Sequence, residues 1–210
     1  MNLLLRKFQP VFKTSLMMTL VLFNSLLWAS TEEEQAIQAP VQALHETLLT
    51  IMAEADTKDF HARYDMMEPV IVEHFNSPLI AKVILSRSWK SLDKKSQTDF
   101  IILFNQLTVS TYVDRFDAYA GERFDVMAVE KMKENRYMVK TQYIRTNDDP
   151  VSFNYIVQNE GNQWKIISVI ANGINDLSLK RADYSAVIKN QGFPALINNL
   201  EQKIRDLQPK

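Results

Sequence analysis

The chain has 210 residues, with 24 Lys or Arg, 25 Asp or Glu, no Cys and a formal net charge of −1 at pH 7. The absence of Cys excludes disulfides, zinc–thiolate sites and cysteine nucleophiles, and the mixed charge without a basic stripe argues against a nucleic-acid-binding protein. The length fits one domain that can bury its own core.

The N-terminal segment predicts a secretory signal. Three basic residues precede an apolar run over residues 16–28 (LMMTLVLFNSLLW), and Ala29 is followed by an acidic stretch. The run is shorter than the about 20 residues of a membrane-spanning helix. We therefore expect a signal peptide over residues 1–29 that is cleaved near Ala29; an uncleaved membrane anchor is the alternative.

The following region predicts helices. Apolar residues recur with a period near 3.6 over residues 41–55, 58–75 and 97–119, and a short helix is expected from Ser77. Pro69 lies inside the second stretch, where we expect a break or a kink.

From Phe124 the apolar period changes to two, which predicts an antiparallel sheet. Turns rich in Asn, Asp and Gly separate the strands, and one face of the sheet is expected to be apolar and aromatic. Two further helices are expected after Gly173. Helices, a curved antiparallel sheet and again helices indicate an α+β fold. The four strands are expected over residues 124–129, 137–144, 151–158 and 164–172, and the two last helices over residues 177–189 and 193–207.

The sequence carries no recognisable catalytic motif. It contains no G-x-S-x-G elbow, P-loop or G-x-G-x-x-G. His45, His61 and His74 have no metal-ligand spacing, so we expect no metal site.

One enzymatic alternative stays open. Tyr137, Tyr143 or Tyr155 on the inner sheet face, together with Asp114 or Asp117 on the long helix, could transfer protons in an apolar cavity. The competing interpretation makes these Tyr residues part of the core and the Asp residues solvated helix charges.

Apolar side chains from two helices and from the sheet converge on one interior. Such a pattern fits a filled core as well as the wall of a ligand cavity, because aromatic and Met side chains serve both. The candidate wall residues are Met67, Ile71, Phe104, Leu107, Val139, Tyr143, Phe153, Tyr155, Ile166 and Ile170.

Two segments carry a resemblance to a known family. They are residues 111–124 (TYVDRFDAYAGERF) and residues 164–174 (WKIISVIANGI), the second followed by the GFPALI run at residues 192–197. Together they resemble the MlaC, or toluene-tolerance, family of periplasmic phospholipid-binding auxiliary proteins of ABC transporters. The RFDAYAGERF run is similar to the hopanoid-associated, HpnM-like branch. The chain departs from the family at Ser168 and Asn172, where acidic residues are usual, which affects a local polar contact.

The resemblance implies a lipid shuttle without catalytic residues or a cofactor. The expected fold is an NTF2-like cone over residues 44–207, after a polar lead over residues 30–43, with a helix-covered sheet around an apolar cavity. The cargo would be a phospholipid or a hopanoid-like lipid, carried through the periplasm between the inner and outer membranes in support of outer-membrane lipid asymmetry. The expected partners are an inner-membrane ABC transporter complex and an outer-membrane lipoprotein complex, and the protein is expected to be a monomer.

Two other functions stay open beside the shuttle. One is a small-molecule isomerase or hydrolase on a similar cone, and the other is an adaptor that binds transporter proteins but no lipid. A cavity that stays open when empty would lower stability, so we expect the lipid-free form of a shuttle to collapse partly or to be less stable.

Overall fold

The structure is a computed structural model that describes residues 15–146 and 148–208, with side chains from residue 32 onward. It forms two compact units, residues 1–36 and residues 37–210. The backbone of the first unit is helical from Ser15, and every feature below belongs to the second unit. Residues 1–14 of the predicted signal peptide lie outside the described residues, and cleavage near Ala29 stays a prediction. Within the described part of the chain, no helix combines the length and the apolar character that a membrane crossing requires.

Six α-helices are present in the described residues, and polar side chains cap four of them. The carboxylate of Asp59 accepts a hydrogen bond from the Ala62 amide, and Asp93 accepts one from the Ser96 amide. The helix expected over residues 97–119 therefore begins three residues earlier, at Lys94. The helices are α1 (Ser15–Ala53), α2 (Phe60–His74), α3 (Ser77–Leu85), α4 (Lys94–Arg115), α5 (Asp176–Gln191) and α6 (Phe193–Leu207).

Helix α2 continues through Pro69, so the expected break at this residue is wrong. Proline removes the hydrogen bond to the carbonyl four residues earlier. Pro69 and Asp65 both lie on the exposed side of α2, where water can satisfy that carbonyl.

The sheet has five antiparallel strands in the order β1-β2-β3-β4-β5, and this confirms the predicted α+β fold. The short fifth strand was not predicted. The strands are β1 (Arg123–Lys133), β2 (Arg136–Ile144), β3 (Val151–Glu160), β4 (Gln163–Ala171) and β5 (Ile174–Asn175).

The strand register defines the two faces of the sheet. Val139 of β2 lies opposite Tyr155 of β3, which in turn lies opposite Val169 of β4, so these three residues share the inner face. Ile170 lies opposite Asn154 on the other face. The expectation that Ile170 lines the interior is therefore wrong.

A bulge in β4 explains this error. Val157 pairs with Ile166 while its neighbour Ile156 pairs with Ser168, so Ile167 is an extra residue in the strand. Strict alternation from Ile166 would place Ile170 on the inner face. The extra residue reverses the facing of the strand after it, so Val169 lies on the inner face and Ile170 on the outer face.

Helices cover the inner face of the sheet. The α1 residues Val41, Leu44 and Leu48 are at most 1% exposed, and the end of α2 is joined to β4 by a hydrogen bond from the Asn76 amide to the Ile166 carbonyl. Ile37 and Val41 belong to the same core as Leu44. The polar lead expected over residues 30–43 is therefore part of α1, and its residues Ile37, Pro40 and Val41 are buried.

A second layer lies on the helices. Helix α5 packs on α3 and β4, and α6 packs on α4 and α5. Gly192, with φ +88°, makes the turn between α5 and α6, a backbone conformation that favours glycine. We call α5, α6 and the α3 and α4 side chains beneath them the C-terminal helical layer.

Candidate functional site

The structure brings nine of the ten predicted wall residues together beneath the sheet. Seven of them are at most 8% exposed, and the other two, Tyr143 and Phe153, are half-buried and pack against the same core. We call the space between the inner sheet face and helices α1, α2 and α4 the sheet interior. The seven buried residues are Met67, Ile71, Phe104, Leu107, Val139, Tyr155 and Ile166.

The nine residues beneath the sheet are part of one cluster of buried and half-buried apolar side chains. Two surface grooves, of about 370 and 280 Å³, lie between α4 and α6 and between α5 and α6. No predicted wall residue lines either groove. The wall residues belong to a contiguous core instead, which gives each of them the dispersion contacts that an open apolar cavity would forfeit.

Four aromatic rings meet where α4 ends and β1 begins. The ring centroid of Phe116 lies 5.7 Å from that of Tyr143 and 6.4 Å from that of Phe124. Tyr143 and Phe153 both contact Phe124, and the Tyr143 hydroxyl lies 3.9 Å from the Met52 sulfur. The ends of α1, α4 and β2 therefore converge here, and we call this region the α4 end.

His45 is a member of the sheet interior that the sequence analysis missed. It is 6% exposed, and its ring stacks on Phe124 with centroids 4.0 Å apart and planes within 9°. Its Nε2 lies 3.1 Å from the Tyr155 hydroxyl oxygen. The helical spacing of His45 with Val41 and Leu48 was the available signal, since the three share one face of α1.

Burial sets the charge of this pair. Desolvation lowers the pKa of His45 from 6.5 to about 4, and it raises the pKa of Tyr155 well above its ordinary value. Both groups are therefore neutral at pH 7, and their hydrogen bond satisfies two polar groups within an apolar surrounding.

The carboxylates required by the enzymatic alternative lie on the surface. Asp114 and Asp117 are exposed, so neither faces Tyr155 across the interior. The polar partner of Tyr155 is His45. Among residues 32–146 and 148–208, no group of three His, Cys, Asp or Glu side chains is placed to hold a metal ion.

The two departures from the family pattern both make local polar contacts. The Ser168 hydroxyl lies 3.3 Å from the side-chain oxygen of Asn175, which also accepts a hydrogen bond from the Ser178 amide at the start of α5. The Asn172 side chain accepts a hydrogen bond from the Ser152 amide. Neutral side chains thus provide the polar contacts at positions 168 and 172.

Fold and interior together define an α+β protein with a deep apolar interior between one sheet face and its covering helices. The model of the MlaC protein family matches residues 42–202. The chain belongs to the MlaC family, as the sequence predicted, whereas its place in the hopanoid-associated branch stays a prediction.

A solved structure has the same fold. It is described as the phospholipid-binding protein from Ralstonia solanacearum in complex with a phospholipid, and it is 19% identical to this chain. The match covers 81% of this chain and 98% of that one, with a TM-score of 0.72. No match was found among curated proteins.

Proposed function

We propose that the protein is a periplasmic lipid carrier, exported by its N-terminal signal, which holds the acyl chains of a phospholipid in the sheet interior. The observation that carries this proposal is the apolar and aromatic inner face of the sheet, covered by helices in the fold of a protein described as phospholipid-binding. Membership of the MlaC family supports it further. The proposed wall is the set of nine residues beneath the sheet, with His45 added.

The free energy of exposing lipid chains to water explains the need for a carrier. Two acyl chains contain roughly 30 methylenes, and each buried methylene is worth about 0.8 kcal/mol, so exposure costs on the order of 25 kcal/mol. Free diffusion of the lipid between two membranes is negligible at that cost. A carrier must replace water around the chains, and this requires apolar surface and no catalytic group.

We expect lipid binding to separate the elements that enclose the sheet interior, because the wall residues contact one another in one core. Separation of α1 from the sheet would break the stacking of His45 on Phe124 and its hydrogen bond to Tyr155. The acyl chains would then replace protein–protein contacts with protein–lipid contacts. We accordingly expect the lipid-loaded protein to unfold at a higher temperature than the lipid-free protein.

The carrier would act between two membrane-bound systems. An inner-membrane ABC transporter complex and an outer-membrane lipoprotein complex would exchange the lipid with it, and the carrier itself would be a monomer. This is the arrangement that the family resemblance implies, and a hopanoid-like lipid is the second candidate cargo.

Lipid extraction tests the proposal. The mature protein is purified without detergent and extracted with organic solvent, and the extract is analysed by mass spectrometry. About one diacyl lipid per chain supports the carrier, and a hopanoid in its place assigns the cargo to the hopanoid-associated branch. A clean extract from a protein that forms a stable complex with envelope transporter proteins would instead favour the adaptor.

A pair of overpacking variants provides the matched control. Val139 in the sheet interior and Leu196 in the C-terminal helical layer are both at most 1% exposed. Replacing either by Phe is expected to destabilise the fold by about 1–3 kcal/mol. Only Val139→Phe should lower the amount of bound lipid; an equal loss in both variants would contradict the proposed site.

A further inference from the structure

Arg63 is a buried cation at the edge of the sheet interior. It lies one turn into α2, between the buried residues Phe60 and Met67 on the same helix face, and it is 8% exposed. Arginine is always charged in proteins, so a full positive charge lies among apolar side chains.

Only some of the N–H groups of this guanidinium have hydrogen-bond acceptors in the described residues. Nη1 donates to the carbonyl oxygens of Val113 and Phe116 at 3.3 and 3.4 Å, and both distances are long for N–H···O hydrogen bonds. Nε is buried and has no hydrogen-bond partner among the described residues. None of the ion pairs in the described part of the chain includes Arg63.

The carbonyls at the C-terminus of α4 offset some of the burial penalty, because this end of a helix carries partial negative charge. They do not neutralise the guanidinium, and an uncompensated buried charge is strongly destabilising. The Nε–H group belongs to the edge with which arginine binds carboxylates and phosphates through two parallel hydrogen bonds. Arg63 therefore has capacity for an oxyanion.

A second buried polar group lies on α4, close in sequence to Val113, which accepts a hydrogen bond from Arg63. Ser110 is one turn before Val113, is 0% exposed, and its hydroxyl has no hydrogen-bond partner in the described residues. A hydroxyl buried in this way loses its hydrogen bond to water. The Nε–H of Arg63 on α2 and the hydroxyl of Ser110 on α4 thus both lack a hydrogen-bond partner in the described residues.

The position of Arg63 suits the head of a lipid and not its tails. Its hydrogen-bond acceptor Phe116 belongs to the α4 end, where the exposed segment 117–121 follows the helix. Met67, one turn further along α2, is one of the wall residues of the sheet interior. A lipid with its phosphate at Arg63 would direct its acyl chains away from the α4 end and into the sheet interior.

We propose that Arg63 binds the phosphodiester of the cargo lipid at the α4 end, so that the carrier selects acyl lipids that carry an oxyanion next to their chains. This inference rests on the proposed carrier function and adds a specificity-determining residue to it. The chemistry recognised is a phosphate oxyanion, which a lipid headgroup or free phosphate can supply, and we assign it to the lipid.

Lipids that differ only in the phosphate test this inference. Delipidated mature protein is titrated with dioleoylphosphatidylglycerol, with dioleoylglycerol and with inorganic phosphate, and lipid binding is followed by displacement of an apolar fluorescent probe. The wild type should bind the phosphatidylglycerol more tightly than the neutral diacylglycerol. Arg63→Gln should lower the affinity for phosphatidylglycerol at least about tenfold, because a hydrogen-bonded charge is lost, and leave the affinity for diacylglycerol unchanged.

Two further variants keep the test decisive. Arg115→Gln removes an exposed charge from the last turn of α4, the helix whose carbonyls accept hydrogen bonds from Arg63. This variant should bind phosphatidylglycerol and diacylglycerol as the wild type does. Arg63→Lys keeps the charge without the planar fork. It should fold even if Arg63→Gln does not, and its preference for phosphatidylglycerol should lie between those of the other two proteins.

The outcomes separate the inference from the carrier function. If the wild type binds both lipids equally, or if each Arg63 variant that folds loses affinity for both lipids in equal measure, Arg63 is a structural cap of α4 and the carrier function stands. If inorganic phosphate at millimolar concentration stabilises the wild type but not Arg63→Lys, while neither lipid is preferred, the ligand is the free anion and the lipid assignment is overturned. If the wild type binds neither lipid, the carrier function fails and the inference fails with it.

Discussion

The sheet interior and the C-terminal helical layer are both well buried, but their chemistry differs. In the layer, Phe100 packs against Tyr184 and Phe193 with centroids 6.3 and 6.2 Å apart, and Leu196 and Leu200 are 1% exposed. The sheet interior has similar burial but contains the His45–Tyr155 pair and the Arg63 guanidinium.

This difference indicates different tasks. Apolar packing without buried charge holds helices together at little electrostatic cost, which suits a permanent layer. Buried polar groups with few partners lower the stability of the region that contains them, and a region of lower stability opens more readily. We therefore expect the sheet interior, and not the C-terminal helical layer, to open when lipid binds.

The largest expected effect comes from truncating the core of each region. Met67→Ala and Leu200→Ala should each lower the free energy of unfolding of the lipid-free protein by about 2–5 kcal/mol. Bound lipid should restore part of the loss for Met67→Ala, because an acyl chain can fill the space, but none for Leu200→Ala. Denaturant unfolding with and without lipid measures this, and equal behaviour of the two variants would remove the distinction between the regions.

The next effect is a pH dependence that originates in His45. Its pKa is lower in the folded protein, at about 4, than the 6.5 of the unfolded chain, so the unfolded chain binds more protons between these values. Stability is therefore complete above about pH 6.5 and falls as the pH decreases towards 4, by up to about 3 kcal/mol. Among the side chains that the structure describes, the hydrogen-bond partner of His45 is Tyr155, which is neutral.

His45→Gln isolates this contribution, because it keeps a hydrogen-bonding side chain and removes the titration. Unfolding free energies measured between pH 4 and 7 should show a shallower pH dependence for this variant than for the wild type. His61→Gln is the matched control, since it makes the same substitution at an exposed position. Parallel curves for wild type and His45→Gln would show that the imidazole is not buried as described.

The smallest effect compares two helix caps. Asn175 caps α5 in the C-terminal helical layer, and Asp59 caps α2, which carries Arg63 and Met67. Replacing either by Ala should destabilise the protein by about 1 kcal/mol. In a lipid-binding titration, Asn175→Ala should leave the affinity unchanged, whereas Asp59→Ala should weaken it. If Asn175→Ala weakens lipid binding and Asp59→Ala does not, α2 is not part of the binding region.

Local pattern predicted much of the architecture and some of the site. The change from a period of 3.6 to a period of two at Phe124 gave the α+β fold, and nine of the ten candidate residues lie in one core. Ile170 was misplaced because a single extra residue in β4 reverses the facing of the strand beyond it, and no composition signal marks this bulge.

Buried polar residues were the other limit. His45 has the spacing of an apolar position on α1, and Arg63 that of one on α2, but both residue types are usually exposed. Their burial depends on Phe124 and Tyr155 in one case and on the end of α4 in the other. These partners are between 50 and 110 residues away in the chain, beyond the reach of any local pattern.

The sequence by itself determined the helical and extended segments, the apolar face of the sheet and membership of the MlaC family, because periodicity and short motifs are local properties. Tertiary structure alone decided which residues of β4 face the interior, that α1 is part of the core beneath the sheet, and that a histidine and an arginine are buried there. These features depend on strand register and on contacts between distant segments, and such contacts form only when the whole chain folds.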